Sequence, residues 1–439
     1  MSKVLGIIAE YNPFHNGHFY HINQSKIQTN CKYTIAVIGG NFTQRGSCSL
    51  IDKWSKAKMA ICNGVDLVIE LPLLYSISSA ENFAYGAVKI LDSLKIVDDI
   101  SFGSECPDIN ILNEIAEVLY QEPKEFKSLL SHELSKGISF PKARENALMI
   151  YLNNIRRYSD VLSSPNNILG IEYLKALKSL NSSILPHCIE RIECDYNSSG
   201  FNGNIASSTA IRNILKSGNY KILSKLMPES SYSILMENIK KGHVVCDISS
   251  FEREIIYVLR RMSIDEISNL PDVNEGLENT IKKAANSCNS VIEFLDIVKS
   301  KRFTNTRIQR IMLYALLGIS KKDMDISKKV LPYIRILGFN ERGKFLISEI
   351  SKANPKLQLV TSVKKFYDSC SNKNLKSMIE KDIYATNVYT LGYEFNSLAN
   401  LDYTKKIEER NFVISFRSFY MTYIKIHKNC NKLPNKINR

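Results

Sequence analysis

His15 and His18 stand three residues apart in His15-Asn16-Gly17-His18, directly after the apolar run Val4–Ala9. Imidazoles at positions i and i+3 share one helix face, and each can donate a hydrogen bond to a phosphate oxygen. Asn12-Pro13 turns the chain after the strand-like run, and Asn16 is placed to cap a helix that carries both rings. The unpaired N–H groups and positive dipole end of such a helix favour an anion such as a triphosphate. Gly17, with no Cβ, lets a ligand come close to the backbone. Histidines near a turn are often plain exposed polar residues, but three of the chain's seven fall between positions 15 and 21. A second cluster, Ser207-Ser208-Thr209-Ala210-Ile211-Arg212, reads as a loop entering a helix. Its hydroxyls supply the N-cap and, with Arg212, present further donors outward. The Gly-x-x-x-x-Gly-Lys-Ser/Thr loop, the Gly-x-Gly-x-x-Gly turn, His-Glu-x-x-His and Gly-x-Ser-x-Gly are all missing. P-loop, dinucleotide, simple metalloprotease and hydrolase chemistries fall away with them.

The elements that must hold these residues alternate between strand-like and helical patterns. Strands are expected over 4–9, 33–38, 67–71, 96–102 and 185–193, and helices over 54–62 and 80–91. Residues 110–158 are helical in pattern, 163–167 form a loop and a further helix starts at 168. Strands separated by helices imply an α/β, Rossmann-like domain with a parallel sheet, and with ligands at the carboxyl ends of its strands. The His-x-Gly-His turn and Gly103 both occupy such ends. After about residue 215 amphipathic helices dominate, with one strand-like run around 357–363. The expected division is therefore 1–215, a nucleotide-binding catalytic domain, and 216–439, a mainly helical region.

At 439 residues the chain suits two or three domains of ~150 residues each. A net charge of +14 points to a polyanionic partner, although a Lys-rich surface can serve solubility alone. Residues 299–310 carry Lys299, Lys301, Arg302, Arg307 and Arg310 with no acid. From Tyr403 onward there are nine Lys or Arg against two Glu, interleaved with Phe412, Phe416, Phe419, Tyr420 and Tyr423. Cations and ring faces together suit RNA, while helical spacing of the rings also suits a core. The ten cysteines show no zinc-like or Cys-x-x-Cys spacing, which fits a reduced, cytoplasmic setting. No signal peptide, membrane span or protein-held metal site is expected.

The two clusters together resemble the signature motifs of the nucleotidyltransferase superfamily. Five further stretches narrow this: Gly40-Asn41-Phe42-Thr43-Gln44-Arg45-Gly46, Phe102-Gly103-Ser104-Glu105, Ser164-Pro165-Asn166-Asn167-Ile168-Leu169-Gly170, Lys301-Arg302-Phe303-Thr304-Asn305-Thr306-Arg307, and Glu10-Tyr11-Asn12-Pro13-Phe14 before His15. With them the chain resembles the bacterial tRNA(Met) cytidine acetate ligase family almost end to end. It departs locally at Ser47-Cys48-Ser49, where that pattern has an acidic residue, a proline and a small residue. The resemblance implies that acetate and ATP give acetyl-adenylate and pyrophosphate, and that the acetyl group then passes to N4 of the wobble cytidine of elongator tRNA(Met).

It also implies roles. His15, His18 and Arg212 would be catalytic, with Gln44 or Arg45 helping to hold the leaving pyrophosphate. Ile8, Ala9, Glu10, Tyr11, Asn12, Pro13, Phe14, Asn16, Gly17, Phe19, Tyr20 and His21 would line the ATP site with Ser207, Ser208 and Thr209. Gly103, Asn166 and Asn167 would line the adenosine pocket and Arg191 would close it, although a turn, a cap and a surface ion pair are equally ordinary uses of Asn166, Asn167 and Arg191. Arg302, Arg307 and Arg310 would meet phosphate or tRNA. Mg2+ would arrive on the ATP phosphates. Two other readings stand beside this one: a small-molecule adenylyltransferase, against which the long basic helical region counts, and a non-catalytic RNA-binding protein with a vestigial nucleotide pocket. The oligomeric state is not set by the sequence.

Overall fold

The computed structural model describes residues 2–153, 158, 161–192, 204–274, 276–395 and 397–410. Residues 154–157 of the expected helical stretch, Glu193 at the end of the expected last strand, and the basic, aromatic stretch from 411 to 439 lie outside the described residues. The strands are β1 (Val4–Ala9), β2 (Tyr33–Gly39), β3 (Leu67–Leu71), β4 (Asp99–Ser104), β5 (Leu185–Glu190), β6 (Ile334–Asn340), β7 (Leu359–Val360) and β8 (Glu408–Arg410). They form one sheet in the order β5-β4-β1-β2-β3-β6-β7, and β8 also pairs with β6.

β1 to β5 are mutually parallel, as the alternating pattern requires. The apolar runs of β1, β2 and β3 are buried on both faces, while the edge strand β5 is partly exposed. Leu5, Ile7, Ala36, Ile38 and Val68 pack with Phe19, Ile22, Trp54, Ala57, Ile211 and Ile214 on one side. Val4, Ile8, Ile35, Val37, Leu67 and Ile69 pack with Phe83, Ala84, Ala87, Val88 and Leu91 on the other. The chain leaves β1 toward β2 on one flank and later returns to β4 on the other, so strand order reverses at β1. The carboxyl end of β1 is therefore the crevice where open α/β sheets take ligands.

Several boundaries shift from expectation: the helix expected from 168 begins at Pro165, inside the stretch expected to be a loop, β2 runs on to Gly39 and the helix expected over 80–91 runs on to Ser93. β4 runs from Asp99 to Ser104, three residues later at its start than expected; just before it, the Asp98 carboxylate accepts the Val4 N–H at 2.8 Å. β5 ends at Glu190.

The larger correction concerns residues beyond 215. β7, inside the expected strand-like run, is only two residues long, while β6 forms outside it and lies antiparallel against β3. The sheet thus crosses the expected border. A buried ionic cluster explains how a strand carrying Arg335 can lie inside the sheet. Arg335 on β6 meets Glu70 on β3 at 3.1 Å, and it also pairs with Asp402. Lys53 reaches the same two carboxylates at 2.8 Å each. Tyr333 donates to Asp382, whose other oxygen accepts the Leu73 N–H at 2.8 Å. Burial, reinforced by the nearby Glu70, pushes the Asp382 carboxyl up to about 7. Among the described residues no helix is long and apolar enough to cross a membrane.

Candidate active site

The residues after β1 make a tight turn. Tyr11 has a φ of 47° and its ring packs 4.8 Å from Phe14 and 4.9 Å from His18. The helix Asn16–Thr29 is capped by His15, not by Asn16 as expected. His15 Nδ1 accepts the Gly17 N–H at 3.0 Å, and His18 Nδ1 accepts the His15 N–H at 3.2 Å. This is a capping box built from two imidazoles, with ring centroids 3.8 Å apart. Gly17 has a nearer reason to be glycine than ligand approach, since a Cβ there would sit 2.9 Å from His15 Cε1. Asn16, released from capping, donates to the carbonyls of Asn204 at 2.7 Å and Lys225 at 2.9 Å. That ties the His-x-Gly-His turn to the segment leading into the Ser207–Arg212 loop.

Burial, with a smaller push from Arg191, brings the His15 imidazole down to about 3 and the His21 imidazole down to about 4. Burial also pulls His18 well below its usual value, helped by His15, His21 and Arg191. All three are neutral at physiological pH. In a neutral imidazole whose Nδ1 accepts, the proton sits on Nε2. His15 and His18 therefore present paired Nε2–H donors. His21 is different: its Nε2 lies 3.3 Å from Ser101 Oγ, against β4.

The Ser-Thr loop arrives beside this pair. Ser207 caps the helix Ser208–Lys216 by accepting the Ala210 N–H at 3.2 Å. Arg212 donates to the Asn12 carbonyl at 2.9 Å and to Thr209 Oγ1 at 3.0 Å. Asn12 in turn holds the next loop, donating to the Cys48 carbonyl at 3.3 Å and accepting the Leu50 N–H at 2.6 Å. That loop, residues 39–49, folds back through Thr43 N–H to the Ser47 carbonyl at 2.8 Å. Gln44 donates its N–H to Glu10 at 2.6 Å, and Arg45 stands exposed at the tip; burial weakens the hold of Arg212 on its proton, and nearby Arg45 adds to that. Glu10 opposes both.

The third wall comes from β4 and the helix Pro165–Ser179. Arg191 lies over Gly103, with Cγ 3.3 Å from where a Cβ would be, and reaches Glu105 at 3.5 Å. Asn166 donates to Glu105 as well. Asn167 is buried, and its Oδ1 receives Ser104 Oγ at 2.6 Å, Glu105 N–H at 2.9 Å and Cys106 N–H at 3.1 Å. It shapes the end of β4 from behind. Glu105, the last residue of Phe102-Gly103-Ser104-Glu105, is a site residue that the sequence motifs alone do not single out. A carboxylate following a glycine at a strand end was the available signal.

A sequence model of the family described as HIGH Nucleotidyl Transferase matches residues 2–404. The chain is 47% identical over 403 residues to a tRNA(Met) cytidine acetate ligase of Thermoanaerobacter sp. (strain X514), covering 91% of this chain and 98% of that one. This chain belongs to the tRNA(Met) cytidine acetate ligase family. A second member, from Acetivibrio thermocellus, is 43% identical over 398 residues, covering 89% of this chain and 95% of that one. The solved structure of Thermotoga maritima TmcAL bound with alpha-thio ATP superposes with a TM-score of 0.87 at 34% identity, covering 93% of this chain and all of that one. The apo form of the same protein gives 0.88 at 35% identity over the same shares.

The family likeness thus takes in the helical half, where the remaining candidates lie. Arg310 donates to Asp272 through Nε at 2.9 Å and Nη2 at 2.8 Å, with its side chain only 11% exposed. Arg307 donates to the Asp272 carbonyl at 2.9 Å through Nε, stacks on Phe303 at 4.9 Å and also reaches Asn274. Both arginines brace the turn at Pro271. The 39–49 loop rests on the same helix, Asn305–Leu317, because Gly46, at a φ of +76°, lies where a Cβ would be 2.5 Å from the Arg310 N. Arg302, Lys301 and Lys299 are exposed. The structure therefore brings His15, His18, Arg212, Gln44, Arg45, Gly103 and Arg191 around the end of β1, with Arg307 and Arg310 behind the loop that carries Arg45.

Proposed function

We propose that the chain activates acetate with ATP to acetyl-adenylate, releasing pyrophosphate, and then transfers the acetyl group to N4 of the wobble cytidine of elongator tRNA(Met). The observation that supports this most is the pair of neutral Nε2–H donors at the end of β1 with Arg212 fastened to Asn12 beside them. In the first step an acetate oxygen attacks the α-phosphorus in line and the bond to the pyrophosphate oxygen breaks. His15 and His18 stabilise charge on the phosphate oxygens as it develops, without needing to lose or gain a proton. Donors fixed before the reaction supply roughly 3–4 kcal/mol each in such sites. Arg212, Arg45 and Gln44 take the departing pyrophosphate. Mg2+ enters on the phosphates as part of the substrate. Gly103, with Arg191 lying over it, offers a flat floor and a lid for adenosine.

In the second step the exocyclic amine of cytosine attacks the acetyl carbon and AMP leaves. That amine is a weak nucleophile because its lone pair is delocalised into the ring, which is the chemical reason for a mixed anhydride. Single-stranded bases are read once splayed out of their loop. The exposed Lys299, Lys301 and Arg302 suit the tRNA backbone, and the natural setting is the cytoplasm, where tRNA and ATP are both present. The test is acetate-dependent exchange of labelled pyrophosphate into ATP, first without RNA and then with elongator tRNA(Met). Exchange that needs acetate supports carboxylate adenylation. Absence of exchange under both conditions overturns it, and a stable adenylylated product without RNA would favour a small-molecule adenylyltransferase.

A further inference from the structure

Lys56 takes no part in the chemistry described above, yet its side chain is fully buried, at 0% exposure. An ammonium in such a place is costly unless all three of its protons are received. Nζ donates to the Gly39 carbonyl at 2.7 Å, the Gly40 carbonyl at 2.6 Å and Ser49 Oγ at 2.8 Å. Gly39 and Gly40 open the loop that carries Gln44 and Arg45, and Ser49 closes it. One ammonium therefore joins both ends of that loop. The Ser49 hydroxyl adds a bond to the Gly40 carbonyl at 3.0 Å, and Tyr389 donates to the Ser49 carbonyl at 2.8 Å. Asn41 accepts the Lys53 N–H at 2.9 Å from the same helix, Lys53–Cys62, that bears Lys56.

We propose that Lys56 is a positioning residue for pyrophosphate: its buried ammonium fixes residues 39–49 so that Gln44 and Arg45 face the leaving group. The proposal rests on the role given above to Gln44 and Arg45. The charged groups facing Lys56 are Glu10 after β1, Glu70 on β3, Asp52 capping its own helix, and Lys53. Burial outweighs the pull of the three acids and brings the ammonium down to about 8. Lys56 thus loses its charge in an alkaline range where an arginine keeps its own.

The experiment measures KM for pyrophosphate and for acetate separately in the exchange reaction, from mildly acidic to alkaline pH. It compares the wild-type chain with Lys56→Arg, Lys56→Met and Ser49→Ala. Lys56→Met should raise KM for pyrophosphate about tenfold, the scale of a lost hydrogen bond to a charged group, with KM for acetate within about twofold. Ser49→Ala should move the same constant in the same direction by less. Wild-type KM for pyrophosphate should rise above a pH of about 8, and Lys56→Arg should remove that rise. If Lys56→Met folds poorly, Ser49→Ala and the Lys56→Arg pH profile carry the comparison. Equal rises in both constants, or the same alkaline rise in Lys56→Arg, would overturn the proposal. Wild-type protein that shows no exchange at all overturns the reaction itself, a separate failure that takes this role of Lys56 with it.

Discussion

The histidines at the start of the helix Asn16–Thr29 and the arginines of the helix Asn305–Leu317 come from similar polar motifs at helix N-termini, and they differ in what their donors already hold. Backbone amides occupy Nδ1 of His15 and His18 and so orient both rings, while no Nε2 partner exists among the described residues. Arg310 has both Nε and Nη2 committed to the Asp272 carboxylate, and Arg307 has Nε and Nη2 on the backbone carbonyl of the same residue. The first pair keeps its Nε2 donors for the ligand proposed above, and the second holds the protein's own chain. A motif residue's type thus says little about its use until its remaining hydrogen-bonding capacity is known.

The sharpest way to break this contrast is to remove one member of each pair. His18→Ala should lower acetate-dependent exchange on the order of 10²–10³-fold, the usual cost of one preorganised donor, with Tm changed by only a few degrees. A loss within about threefold would withdraw the catalytic role of His18. Arg310→Met should do the opposite. Leaving the Asp272 carboxylate without its partner should cost about 2–3 kcal/mol of stability, read as a lower Tm, while exchange at a permissive temperature stays within about threefold. Collapse of exchange at unchanged Tm would place Arg310 with the ligand-facing group.

Titration sharpens the comparison from another side. The histidine values are depressed in the folded chain, so below a pH of about 6.5 the unfolded chain binds protons that the folded chain refuses. Stability of the ligand-free protein should therefore be full above that value and fall as pH drops toward the folded values of about 4 for His21 and about 3 for His15. A His15→Gln, His21→Gln double variant should flatten that limb in thermal melts, and an unchanged limb would count against neutral, buried rings. The smallest effect is expected at the exposed lysines. Lys299→Glu with Lys301→Glu should weaken tRNA binding several-fold and reduce its salt slope by roughly two, leaving RNA-free exchange alone. An unaltered slope would remove these lysines from the RNA contact.

Much of the first half was legible because its signals are local. The apolar run at 67–71 is β3 residue for residue, and Ser207 caps its helix as the Ser-Ser-Thr spacing predicts. The convergence of His15, His18 and Arg212 was legible as a pair of motifs. Asn16 misled because side-chain type favours it as a cap, whereas the ring of His15 was already in reach of the Gly17 N–H. β6 was hidden for a different reason. Arg335 breaks its apolar pattern, and a buried arginine makes sense only once Glu70 and Asp402, distant in sequence, are known to meet it. Arg307 and Arg310 likewise looked like an RNA-facing stripe because their partner, Asp272, lies outside the basic segment.

The antiparallel seam between β3 and β6 has a consequence for how this catalyst can be inherited or trimmed. A gene fragment ending near residue 215 would encode every residue assigned to adenylate chemistry, yet leave β3 as a bare edge and Lys53 and Glu70 without Arg335 and Asp402. A version that folds as a unit therefore needs the chain at least through Asp402, and loss of the part after 215 would be felt first as loss of the fold.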